Sequence, residues 1–118
     1  MSLQQLTDEE LLTIAEPILD NILDGARTDN YEKFSRDFHK DFADMVDAEQ
    51  FKSQRIISAK KNGNIKKDRK FLKCLRNEHC VIILWVGEFE KLKGEILTGL
   101  NLRSFDNEVK VVGIWHHH

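Results

Sequence analysis

The stretch from Phe71 to Trp115 reads FLKCLRNEHCVIILWVGEFEKLKGEILTGLNLRSFDNEVKVVGIW. Its β-branched and aromatic residues come in runs, broken at Asn77-Glu78, at Lys91 through Gly94 and at Asp106-Asn107. Asn, Asp and Gly accept the backbone angles of tight turns, so this spacing predicts four antiparallel strands in a hairpin meander. Val81–Val86 is apolar at odd and even positions alike, which predicts the most buried strand, covered on both faces.

The two cysteines flank the first turn, at Cys74 and Cys80. A hairpin loop of odd length, such as Arg76 to Glu78, sets them opposite each other on neighbouring strands. A loop of Asn77-Glu78 alone, or of Arg76 to His79, pairs Cys80 with Leu75 and turns the thiols to opposite faces. Closing so short a loop adds little stability, and a chain with two cysteines and no leader favours free thiols buried as small apolar groups.

Upstream of the meander the pattern is helical. Thr7-Asp8-Glu9-Glu10 is a capping box, with Leu6 and Leu11 at the flanking staple positions. Leu11, Ile14, Ala15, Ile18 and Ile22 form one apolar stripe, widened by Leu19 and Ala26. Pro17 lies inside it and predicts a kink or break; Gly25 reads as the stop. Asp29 or Asn30 caps a short second helix over Tyr31–Ser35, with Phe34 inward. Arg36 to Val46 reads as an irregular, partly extended connection. Asp47 and Gln50 open a third helix that runs through Ala59 to Asn62-Gly63, with Ala48, Phe51, Ile56 and Ala59 on one face. Helices followed by strands, without alternation, predict an α+β domain with the helices packed on one face of a four-stranded antiparallel sheet.

At 118 residues, 41% apolar and 32% charged, the chain is one globular domain, assigned to residues 1–115. Met1-Ser2-Leu3 and His116-His117-His118 have the look of appended residues, and the histidine run is left out of any metal argument. No apolar run is long enough to span a bilayer. No leader is visible, so a cytoplasmic protein is expected, or an exported one whose leader has been removed. The charge is segregated. Residues 1–50 carry 4 basic and 13 acidic side chains, a net of −9, whereas residues 51–76 carry 10 basic and 1 acidic, a net of +9. A basic block can track nucleic-acid phosphates, but no aromatic interleaves Lys60 to Lys70 as a stacking platform. Two opposite blocks that lie against each other in the fold, or are simply solvated, are the simpler expectation, and no nucleic-acid partner is expected.

The order of these elements carries a resemblance. A first helix interrupted by Pro17, then Gly25 through Asp29-Asn30-Tyr31-x-x-Phe34-x-x-Asp37-Phe38, a helix at Phe51 and a meander ending Val112-Gly113-Ile114-Trp115 resembles the nuclear transport factor 2-like superfamily. Tyr31–Phe38 and Leu84-Trp85 through Trp115 look most like its small bacterial and archaeal members. The resemblance implies a cystatin-like cone: a curved sheet wrapped around the helices, a pocket between them, and homodimers through the sheet's outer face. Enzymes of that superfamily hydrate, isomerise or dehydrate with Asp, His and Tyr side chains in the pocket. Many relatives only bind small ligands or proteins, or serve as accessory domains, some on transpeptidases. Fold alone does not choose among these.

Several residues are candidates for a site. Asp37, His39, Asp41 and Asp44 form the densest acid–base cluster, and a carboxylate held in an apolar pocket beside His39 could serve as a general base. Against this, Phe38 and Phe42 take the inward positions, which leaves the acids on the surface. With His79 the remaining histidine outside the terminal run, a His-rich zinc site is not expected. Ser58-Ala59-Lys60-Lys61 matches S-x-x-K formally, yet neither K-T-G nor S-x-N follows, so Ser58 and Lys61 read as helix-end residues. No glycine-rich phosphate loop exists, and Gly87, Gly99 and Gly113 read as strand or bulge positions. Trp85 and Trp115 are candidate pocket walls or interface residues. The candidate pocket is therefore Tyr31, Asp37, His39, Asp41, Trp85, Asn101 and Trp115, with no cofactor and no metal. The leading expectation is a homodimeric domain that binds a small apolar ligand or a protein. The alternative is a small cofactor-free lyase, isomerase or hydrolase. A charge placed on the outer face of the second strand, at Trp85 or Ile83, is expected to break the dimer.

Overall fold

The computed structural model describes residues 2–117, without the side chains of residues 57–60. Among the described residues, a 3-10 turn at Leu3–Gln5 leads into α1 (Asp8–Arg27), α2 (Tyr31–Phe34), α3 (Lys40–Met45) and α4 (Ala48–Lys61). Then come β1 (Lys70–Arg76), β2 (Val81–Gly87), β3 (Ile96–Phe105) and β4 (Glu108–His117), in the order β1-β2-β3-β4 and antiparallel throughout. This is the α+β arrangement that the sequence predicts. No helix among the described residues is long and apolar enough to cross a membrane.

Local chemistry accounts for the start of α1. The Thr7 hydroxyl accepts from the Glu10 amide at 3.2 Å, and the Glu10 carboxylate accepts from the Thr7 amide at 3.0 Å. Pro17 does not break the helix. Its ring faces solvent, while Leu11, Ala15, Leu19, Ile22 and Leu23 are buried along the other side. That burial keeps both halves helical and offsets the roughly 3 kcal/mol that an internal proline costs. Gly25 is not the stop either. A Cβ there would lie 2.5 Å from the Phe34 amide nitrogen and 2.6 Å from its Cα, so Gly25 lets the α2 backbone press onto α1. Asp29, in the left-handed region at φ 53°, ends the helix just beyond Thr28. Asn30 then caps α2 by accepting from the Lys33 amide at 3.1 Å, and the buried Asn21 amide donates to the Lys33 carbonyl at 2.7 Å.

Between Arg36 and Val46 the chain is more regular than its sequence suggests. Val111 donates to the Asp37 carbonyl at 2.7 Å and accepts from the His39 amide at 2.9 Å, so Phe38 lies beside β4 as a one-residue extension of the sheet. His39 next caps α3, where a partly extended connection was expected. The docked edge and the packing of Phe38 supply what residues 36–46 lack in local periodicity.

The sheet's register decides which side chains look inward. Cys74, Val81, Ile83, Trp85, Leu100, Leu102 and Val111 form one buried cluster with Leu11, Ala15, Leu19 and Ile22 of α1. On β2 the burial alternates, with Val81, Ile83 and Trp85 inside and Ile82, Leu84 and Val86 only partly covered. Trp85 and Ile83 therefore both face the helices, and neither is available as an outer-face interface residue. Two bulges, at Leu72 of β1 and Val112 of β4, shift the pairing and bend the strands. Asp106 and Asn107, at φ 49° and 75°, close the last hairpin as a two-residue turn with both residues left-handed. The first hairpin loop is Asn77 to Cys80, closed by the Asn77 amide on the Cys80 carbonyl at 2.9 Å. Arg76 pairs with Val81 and Cys74 with Ile83, so neither expected register occurs and the two free thiols do not meet. Burial pushes the Cys74 thiol up to about 11.

The two charge blocks meet along α1. Arg76 pairs with Asp8 at 2.7 Å, Arg69 with Glu16 and Asp20 at 3.3 and 2.9 Å, and Lys67 with Asp24 at 2.8 Å. As the helix runs forward from Asp8 to Asp24, its partners run backward from Arg76 to Lys67, so α1 and β1 are antiparallel. Arg69 also lies over the Trp85 ring at 5.5 Å.

Candidate functional site

Six segments converge where α1 ends. Ile22, Leu23 and Ala26 come from α1, Phe34 from α2, and Phe42 and Val46 from α3 and its C-cap. Phe51, Gln54 and Arg55 come from α4, Asn64 and Ile65 from the turn after it, and Phe89, Ile114 and His116 from the sheet side. Together they enclose a cavity of about 320 Å³, at the small end of the range for small-molecule sites. The most buried lining residues, Ile22, Leu23, Phe51 and Phe89, are apolar, whereas Gln54 and His116 stand open to solvent. The cavity thus has an apolar floor and a polar mouth.

Its wall is a run of aromatic contacts. Phe51 meets Phe34 at 4.6 Å, Phe34 meets Phe38 at 5.1 Å, and Phe38 meets Phe42 at 4.7 Å. Such tilted and edge contacts fix the rings relative to one another and keep the wall rigid. The turn after α4 is tied down separately. Gly63 takes φ +75°, and Asn64 pairs with Glu90 through backbone and side chain at 2.9 and 3.0 Å. Arg27 donates to the Ile65 carbonyl at 2.8 Å.

Among the described lining residues Arg55 carries the one formal charge; the other polar members are Gln54, Asn64 and His116. Its Nη2 donates to the Asn64 side-chain oxygen. Its Nε is buried and has no hydrogen-bond partner; the Asp29 carboxylate stands 3.5 Å away, outside hydrogen-bond geometry. A buried donor left unpaired costs about 1–3 kcal/mol. The His116 ring lies 3.0 Å from the Thr98 hydroxyl, and desolvation holds its pKa below the ordinary histidine value. The imidazole is therefore neutral at pH 7, and no carboxylate lines the cavity among the described residues. The arrangement offers apolar surface and hydrogen-bond donors for binding.

The candidates named from the sequence lie elsewhere and apart. Tyr31 donates its hydroxyl to the Val46 carbonyl at 2.6 Å and lines a second depression, with Asp29, Ala48, Lys52 and Ile56, on the α4 surface. Asp37 pairs with Arg36 at 3.2 Å beside the β4 edge. The His39 ring stacks on Phe105 at 4.1 Å, and its Nδ1 accepts from the Asp41 amide. The Asp41 side chain is 87% exposed. Trp85 is in the core. Asn101 and Trp115 are on the outer face of the sheet, where the indole N–H donates to the Asn101 oxygen at 3.2 Å. The Ser58 side chain of the S-x-x-K match lies outside the described residues. Among those that are described, no three His, Cys, Asp or Glu side chains are placed to hold a metal.

Sequence reasoning missed Arg55, Asn64, Phe89 and His116. Arg55 was one of ten basic residues in its block, and nothing local distinguished it. Asn64 follows a helix stop and looked like turn chemistry. The apolar face expected on α4 is not one buried stripe: Phe51 is buried while Ile56 is 52% exposed. A helix that covers a cavity need not carry one. Compared with known protein families and with curated proteins, the sequence finds no match.

Proposed function

We propose that this protein is a non-catalytic domain that binds a small, largely apolar ligand, of the nuclear transport factor 2-like type, and that it works as a homodimer. The observation that carries the reading is the cavity itself: apolar residues on four helical segments and the sheet converge on about 320 Å³ of space. The outer face of the sheet supports the dimer. Leu75, Ile82, Leu84, Val86, Leu97 and Trp115 share that face by register, and all keep part of their surface in water. A continuous apolar strip of that kind is uncommon on a monomer. The catalytic alternative lacks support, since Asp37, His39, Asp41 and Tyr31 do not share a cavity. Nor does the basic block favour a nucleic-acid partner, because Lys67, Arg69 and Arg76 already face α1 carboxylates.

Titration of the ¹⁵N-labelled protein with octan-1-ol tests the cavity. Amide shifts are expected around Ile22, Phe34, Phe51 and Ile114. The Ala26→Phe variant, which fills the space from α1, is expected to abolish them while keeping its fold by circular dichroism. Shifts scattered over the surface, or unaffected by Ala26→Phe, would overturn the reading.

A further inference from the structure

Resting on that reading of the cavity, we propose that its ligand is an amphipathic monocarboxylate whose carboxylate is received by Arg55. The argument starts from charge. Among the described residues Arg55 is the one charged side chain on the lining, and the apolar floor sets the rest of the ligand. An anion placed there meets a guanidinium whose buried Nε makes no hydrogen bond, with Asp29 3.5 Å away, and whose Nη2 is already steered by Asn64. A guanidinium presents its donors as a planar fork that a carboxylate matches with two parallel hydrogen bonds. A cation at this place would meet Arg55 and no carboxylate.

Asp29 does not satisfy the site. It belongs to the depression on the α4 surface, where Arg55 and Phe51 form the shared wall, and its side chain is 75% exposed. Water screens that pair, so a better-shielded anion on the cavity side can compete with Asp29 for the guanidinium. Size follows from volume. At about 30 Å³ for each water-sized atom, 320 Å³ holds roughly ten heavy atoms, the size of octanoate or a phenyl-substituted short acid.

The probes are octanoate and octan-1-ol, which share a tail and differ in charge, titrated into the intact protein by calorimetry and amide shifts. Octanoate is expected to bind about tenfold to a hundredfold more tightly, the gain of charged hydrogen bonds in a shielded site. Arg55→Met is expected to bring the two probes to equal affinity. If the wild-type protein binds both probes equally, or Arg55→Met keeps the preference, the carboxylate assignment falls and the apolar cavity stands. If neither probe binds, the cavity reading falls with it. The wild-type comparison needs no variant, so a folding defect in Arg55→Met leaves it decisive.

Discussion

Two tryptophans stand on opposite faces of one sheet, and the sheet treats them differently. Trp85 of β2 is 1% exposed, beneath α1 and Arg69; Trp115 of β4 is 36% exposed, flat across Gly99 and held by Asn101. Both faces are apolar along β2. Only the inner one has a helix layer, and there the packing is complete except at the α4 end, where it opens into the cavity. The difference shows that apolar composition says a face wants cover, while the neighbours decide whether the cover is a helix, a ligand or another chain.

Truncating the two rings gives the largest contrast. Trp85→Ala is expected to cost about 3–5 kcal/mol in chemical denaturation, because the core cannot collapse into the space. Trp115→Ala is expected to cost less than about 1 kcal/mol in the monomer, as an exposed ring loses little burial. Equal losses would break the comparison.

Two glycines sharpen it at a smaller scale. A Cβ on Gly25 meets Phe34 backbone at 2.5 Å, and one on Gly99 meets the Trp115 ring at 2.1 Å. Backbone in the helix layer cannot give way, whereas an outer-face indole can swing into solvent. Gly25→Ala is therefore expected to destabilise by about 1–3 kcal/mol and Gly99→Ala by clearly less, measured as shifts in denaturation midpoint. Faster exchange of the Trp115 indole proton in Gly99→Ala than in wild type is expected to accompany the smaller effect, as its bond to Asn101 is lost.

Leu84→Glu puts a charge on the outer face without touching the core. Its monomer stability is expected within about 0.5 kcal/mol of wild type, while light scattering changes from a dimer to a 13.8 kDa species. A wild-type protein that scatters as a monomer at tens of micromolar would remove the dimer from the proposal.

The smallest effect is electrostatic. Its hydrogen bond with Lys67 holds the Asp24 carboxyl below its ordinary value of 3.8. A carboxyl depressed in the folded state stabilises above its unfolded pKa, and that contribution is lost as pH falls through the folded one. Asp24→Asn should therefore flatten the acid limb of the stability profile below about pH 4 and leave its shape near neutrality unchanged. A profile with an unaltered acid limb would show that solvent screens the pair completely.

Much of the fold was legible because its signals are local. Thr7 to Glu10 states a helix start in four residues, and Asp106-Asn107 states a turn that needs two left-handed residues. The segregated charges, too, announced that two segments belong together. Elsewhere the local signals misled. Pro17 and Gly25 look like a break and a stop, yet buried leucines carry the helix through the first, and the second is glycine because α2 crosses there. Around His39 the sequence already set the acids against an inward Phe38, and Phe38 is buried there. The candidate site was the least legible part.

The sequence alone determined the helices-then-meander order, the turn positions and the need to bury β2, because these follow from backbone preferences of neighbouring residues. Which face of β2 turns inward was left to the tertiary structure, since a strand apolar at every position carries no period of two. The cavity was decided there as well. Its walls come from segments as far apart as Ile22 and His116, and a space between side chains exists only once those segments have packed. The same packing buries the Arg55 Nε, 3.5 Å from the Asp29 carboxylate, while basic neighbours such as Lys67 stay paired nearer the surface.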